Sequence, residues 1–380
     1  MKTWKRVFAL LLSLVMAVSL CACAIDADPT GGTAEPGPSS SASPDPGAAP
    51  SIEVDLTQGA LKFAAGLSPA DVLLTVDGEE IRADLFCYLL DQACDQFQQY
   101  LYYYYGLSLE DLPDTAGDLL DQGVNWTVYY TVLRRKAVEL GCLLTDSQTA
   151  EINETAEDLN VKDQALMWEL SDQSLRSILE LESGFYYENL LDTVPTPGED
   201  QLNGYVYQVR HILLKTIDDQ NQPLSDEEIA AQRALAEDIL SQLRAAEGEE
   251  RSRLFDELMA QYSEDGRDEN GDLYAPEGYT AVPGDMVTEF EEASLALPIG
   301  GLSDIVESFY GYHIILRDEV EDYSEYIDGC RAYLLDQEIN ALVDAAQVVR
   351  ADALSGLNAV EFYTRLTAYQ YALSARQTAE

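Results

Sequence analysis

"VRHILLK", Val209 to Lys215, holds one of the two histidines in a chain of 380 residues. The other stands in "GYHIILR", Gly311 to Arg317. Both runs are short and rich in aliphatic, β-branched residues, which predicts a strand in each. Strand side chains alternate faces, so Val209, His211 and Leu213 share one side of the first run, and His313 and Ile315 share one side of the second. If the two strands are neighbours in one sheet, the imidazoles come within hydrogen-bond reach. A strand histidine is by default a structural residue. Two of them, in matching contexts at the two ends of one segment, point to a shared site.

The sequence between the strands is a domain's worth of alternating elements. "LSDEEIAAQRALAEDILSQLRAAEG" reads as a helix opened by a Ser225/Glu228 capping box, and "RSRLFDELMAQYS" as a second helix. A loop rich in Gly, Asp and Pro follows, then "TEFEEASLALPIGGLSDIVES".

Upstream, "VLLTVDGEEIRADLF" predicts two strands about an Asp77-Gly78 turn, leading into a helix capped by Asp84 that runs to Gly106. Its tail carries Tyr102 to Tyr105, which cover every face of a turn. Such tyrosines either stand exposed, where an amphipathic aromatic grips many chains, or pack between helices or at a homodimer contact. Helices are expected over Gly117–Leu140 and from a Thr145 cap to about Asp192, until "VPTPG", Val194 to Gly198, ends the block. From Asp322 to about Arg350 the pattern is helical again. The apolar face of that stretch, with Ile327, Leu335, Ile339 and Val343, needs cover. The block before Val194 is the nearest candidate, which makes the middle segment an insertion in a discontinuous outer domain.

The N-terminus reads as an export signal, with Lys2, Lys5 and Arg6 ahead of an apolar run. The run ends in "LCAC", which resembles a bacterial lipobox with Cys23 as the lipidated residue. The expected organisation is a signal peptide over 1–22 and a Pro-, Gly- and Ser-rich tether over 23–51. The folded part would then sit outside the cell membrane, on the order of 30 Å from the bilayer.

The balance of 69 acidic against 22 basic residues repels phosphate backbones, so nucleic acid is not an expected partner. Neither CxxC nor a Cys/His metal spacing occurs among Cys87, Cys94, Cys142 and Cys330, and their pairing is left open. Aligning Gly271 to an EF-hand's turn glycine puts Asp268, Asn270 and Glu277 on ligand positions. It puts Gly266 at the first, where a carboxylate is needed, so no metal or other cofactor is expected.

Residues 205–318 resemble the parvulin (PpiC) type of peptidyl-prolyl cis/trans isomerase through ordered blocks: "VRHILLK", "FDELMAQYSED", "NGDL", "GDMVTEFEEASLALPIGGLSDIV" and "GYHIIL". The resemblance implies that His211 and His313 are the paired histidines beneath the active site. It makes Asp265 the polar residue facing the reacting amide, and places Met286, Phe290 and Leu273 around the proline ring. The sequence departs from the pattern where "GGDLG" is "NGDLY", where "YAPEGYTAVPGDM" is longer than usual, and where Val287 follows the methionine.

From lipobox to C-terminal helix, the layout resembles the PrsA/SurA group of extracytoplasmic foldases. The fold class so implied is α+β: a helical chaperone domain built from 52–200 and 319–380, with a parvulin domain inserted over 203–318. Implied partners are unfolded or partially folded exported proteins that contain X-Pro bonds. The alternative is a parvulin-fold holdase that only binds.

Overall fold

A computed structural model describes residues 52–218, 220–267 and 271–379. The signal, the tether, the Cys23 lipidation and the EF-hand positions Asp268 and Asn270 lie outside the described residues. The chain divides into two compact units: Pro197–Cys330, and the segments up to Thr196 and from Arg331 onward.

The central unit is built on a four-stranded antiparallel sheet in the order Tyr279–Ala281, Tyr207–Lys215, Gly311–Asp318, Val306–Glu307. The two histidine strands are its middle pair, with His211 opposite Ile315 and Leu213 opposite His313. Two-residue alternation sorts the side chains. Ile212, Leu214, Tyr312, Ile314 and Leu316 form one face, covered by Leu243, Phe255 and Leu258 of the Asp226–Ala245 and Gly248–Tyr262 helices. The first of these helices opens with the expected capping box, Ser225 accepting from the Glu228 N–H. Tyr207, Val209 and Ile315 form the other face, under Phe290 of the Thr288–Ala296 helix. Arg317 ties that helix to the sheet by donating to the carbonyls of Leu295 and Leu297, at the helix end where a cation is favoured.

Gly311 opens the second histidine strand at φ 146°, and a Cβ there would lie 2.2 Å from the Leu214 carbonyl oxygen. Only glycine lets the two strands close at this point.

In the outer unit, the Ala83–Tyr105 helix packs on Ala116–Glu139. The expectation that Asp84 caps the first of these is corrected: Arg82 holds the N-cap position, and Asp84 lies fully buried one residue inside the helix. There its carboxylate accepts from the Ser171 N–H and the Ser174 hydroxyl, 3.1 and 2.8 Å away, and so staples a distant helix. Burial works to raise the Asp84 pKa, but Arg82 and the serine donors outweigh it and hold the carboxyl below its usual range.

Leu335 and Ile339 bury against Leu133, Ala137, Tyr187 and Leu190, giving the C-terminal apolar face its cover. The helical reading to Arg350 is also corrected. The helix ends at Ala345, and Val348–Arg350 pairs antiparallel with Val72–Val76 as the third strand of a small sheet. Three consecutive β-branched or long side chains suit an edge strand, and their solvent exposure hides any two-residue period.

Tyr102 to Tyr105 are all exposed. The thiols of Cys87, Cys94, Cys142 and Cys330 are free. Among the described residues, no helix is long and apolar enough to cross a membrane.

Candidate active site

The diagonal register of the middle strands puts His211 and His313 on the same face one step apart, and their rings stack with centroids 5.4 Å apart. Nδ1 of His211 lies 3.2 Å from Nδ1 of His313. Asp265 arrives from the loop after the Gly248–Tyr262 helix. That loop is sewn to the His211 strand: the Leu213 N–H donates to the Ser263 hydroxyl, and the Glu264 N–H donates to the Leu213 carbonyl. The Asp265 carboxylate is thereby set 2.8 Å from His211 Nε2.

Phe290 closes the group from the helix above. Its ring meets the two imidazoles edge-on, with centroids 5.0 and 5.3 Å away. Met286, half-buried, packs on the same apolar cluster. The structure therefore brings together His211, His313, Asp265, Phe290 and Met286 on one face of the sheet.

Leu273 is not among them. It packs against the cluster of Ile212, Leu214 and Phe255 on the opposite face and borders a groove beside Arg210 and Asp256. The motif "NGDL" fixes the residue type at this position but not the face of the sheet that the side chain packs on. Its assignment to the proline ring is withdrawn.

Two further polar residues complete the site. The Ser308 hydroxyl lies 2.7 Å from His313 Nε2, and the Tyr279 hydroxyl donates to Asp265 Oδ2 at 2.7 Å. Sequence reasoning passed over both. Ser308 stands five positions before His313 in a loop with no period, and Tyr279 lies in the lengthened segment.

The electrostatics separate the roles. Burial, and then the neighbouring His211, push the His313 pKa down to about 3, so this ring is neutral at physiological pH. Burial works to raise the Asp265 pKa, but the donors on His211 and Tyr279 overcome it, so the carboxyl titrates below its usual range and is ionised. No cysteine lies in the group, and the serine contacts a ring that is itself held in a relay. The arrangement presents an apolar wall beside a polarised, fixed chain of hydrogen bonds.

Residues 198–321 match the PPIC-type PPIASE domain. Chaperone SurA of Chromohalobacter salexigens is 36% identical over 155 residues, covering 40% of this chain and 31% of that protein. Foldase protein PrsA of Halalkalibacterium halodurans is 44% identical over 93 residues, covering 24% of this chain and 25% of that protein. The chain thus spans about a third or less of the length of these two relatives. Among solved structures, the peptidylprolyl isomerase PrsA of Bacillus cereus is similar over 79% of this chain and 99% of its own, at 24% identity and a TM-score of 0.32. The central unit is a parvulin-type domain, and the chain resembles the PrsA and SurA foldases.

Proposed function

We propose that this chain, with its PPIC-type domain at 198–321, catalyses cis/trans isomerisation of X-Pro bonds in exported polypeptides while its helical outer unit holds them unfolded. The observation that carries the reading is the convergence of His211, His313 and Asp265 beneath Phe290 and Met286.

An X-Pro bond interconverts over tens to hundreds of seconds because its amide must lose resonance to twist, and no covalent bond is made or broken. Catalysis therefore needs no nucleophile. The Phe290/Met286 wall would hold the pyrrolidine ring and fix one side of the rotating bond. A site poor in donors to the carbonyl favours the less polar twisted amide over the planar one. A ten-thousand-fold acceleration asks for only about 5.4 kcal/mol of such differential stabilisation. His211 and His313 orient and polarise on this account; a neutral His313 at physiological pH fits that role better than proton carriage.

The clients would be unfolded or partially folded exported chains with X-Pro bonds, met outside the cell membrane, to which a lipid on Cys23 would tether the protein. The lengthened loop before Met286 favours a second reading, a holdase without catalysis, because such a loop can narrow the cleft.

Exchange spectroscopy on a proline peptide separates the two readings. The isomerase reading expects acceleration by the wild type and its loss in Met286→Ala, with suppression of client aggregation retained. Exchange no faster with the wild type than without protein gives the case to the holdase.

A further inference from the structure

Tyr279 has no part in the mechanism so far, yet the fold goes to some length to place it. Gly278 before it sits at φ 79°, where a Cβ would lie 2.1 Å from the Val209 carbonyl oxygen. This close approach brings the chain onto the edge of the sheet with Tyr279 opposite Val209, two residues from His211. Tyr279 then delivers its hydroxyl to the same Asp265 oxygen, Oδ2, that takes His211 Nε2.

We propose that Tyr279 is a positioning residue that anchors Asp265 toward His211 and thereby sets the direction of every hydrogen bond in the site. The inference for catalysis rests on the isomerase reading; the inference about proton positions does not.

An ionised carboxylate only accepts, so the Tyr279 hydroxyl donates to it and His211 Nε2 must carry a proton. With that proton alone on the His211 ring, its Nδ1 offers a lone pair, and His313 Nδ1 is then the donor across their contact. His313 Nε2 is left as an acceptor, and the Ser308 hydroxyl donates to it. Donors from both ends of the relay, Tyr279 on one side and Ser308, His313 and His211 on the other, converge on one carboxylate.

Asp265 needs the second tether. It comes from a loop, its side chain is 31% exposed, and without Tyr279 the His211 contact is the only side-chain hydrogen bond on its carboxylate among the described residues. A carboxylate free to swing releases His211 to take either tautomer, and the second ring follows the first.

With two histidines in the chain, 15N-histidine spectra of the whole protein show two rings to assign. The wild type should show His211 protonated at Nε2 and His313 at Nδ1, the less common form of a free imidazole. Tyr279→Phe, which removes only the hydroxyl, should collapse both rings toward exchange-averaged shifts. In the same variant kcat should fall about tenfold and KM stay within about twofold, as expected for a lost hydrogen bond to a charged group that acts on the chemistry. In an Asp265→Ala background, Tyr279→Phe should cost nothing further.

Ring spectra unchanged in Tyr279→Phe overturn the proposal. So does an unchanged kcat beside an active wild type, or a tenfold loss that persists in the Asp265→Ala background. If the wild type proves inactive, the isomerase reading falls while the nitrogen spectra still decide for or against Tyr279.

Discussion

Replacing Gly311 by alanine tests the strand geometry that the site is built on. The added Cβ would meet the Leu214 carbonyl oxygen at 2.2 Å, and Lys215 Cα and Thr216 N at 2.9 Å, all backbone atoms of the partner strand. A carbon and an oxygen rest at about 3.3 Å or more, so the strands must part by about 1 Å where Lys215 pairs with Gly311. Forcing a Cβ into a conformation reserved for glycine costs about 1–3 kcal/mol. Weakening one or two ladder hydrogen bonds, including that from the Thr216 N–H to the Tyr310 carbonyl, adds about 0.5–1.5 kcal/mol each. The sum is about 1.5–6 kcal/mol, a large fraction of a domain's usual stability. Urea unfolding followed by the His211 and His313 ring signals reads the central unit directly, and with a typical slope the midpoint should fall by about 1–3 M. Emission from Trp126 and Trp168, both in the outer unit, should move by less. A loss below about 1 kcal/mol would refute the close approach and the pairing drawn from it.

Other outcomes follow from the same contacts. His313 is neutral when folded down to about pH 3, whereas an unfolded histidine takes its proton near pH 6.5. The unfolded state therefore binds more protons in that window, and the central unit's stability, full above pH 6.5, should fall as the pH drops toward 3. The slope approaches about 1.4 kcal/mol per pH unit, and denaturant titrations at pH 7 and 5 should show it flattened in His313→Gln. Asp84→Asn should destabilise the outer unit by about 2–3 kcal/mol, read from tryptophan emission, because the Ser171 and Ser174 donors and Arg82 lose a buried charge; a change within 0.5 kcal/mol would contradict the staple. Leu273→Ala should leave KM for a proline peptide within about twofold, since the side chain lies on the far face of the sheet, and a several-fold rise would place it back in the cleft.

The period-two pattern around His211 and His313 carried the sheet's middle pair and the face that holds the site, because both strands are buried over most of their length. The capping signals at Ser225 and Thr145 were equally legible, since each is a local bond between residues three apart. What escaped was set by long-range geometry. Asp84 reads as a cap within its own helix, yet its partners Ser171 and Ser174 lie some ninety residues on. Val348–Arg350 is a strand only because Val72–Val76 offers it an edge. Tyr279 opens an edge strand of only three residues, too short to show a period, Ser308 sits in a loop, and Leu273 was carried by a motif that does not fix the face of the sheet it packs on.

The central claim is that an apolar wall beside a fixed histidine pair lowers the barrier to rotation about X-Pro bonds. The direct measurement is cis/trans exchange of a short proline peptide with catalytic amounts of the wild type and of Phe290→Ala, the ring that meets both imidazoles. The account predicts acceleration by the wild type and a loss of about a hundredfold or more in the variant, the rate equivalent of about 2.7 kcal/mol. Equal rates for the two proteins, or no acceleration by either, would contradict it.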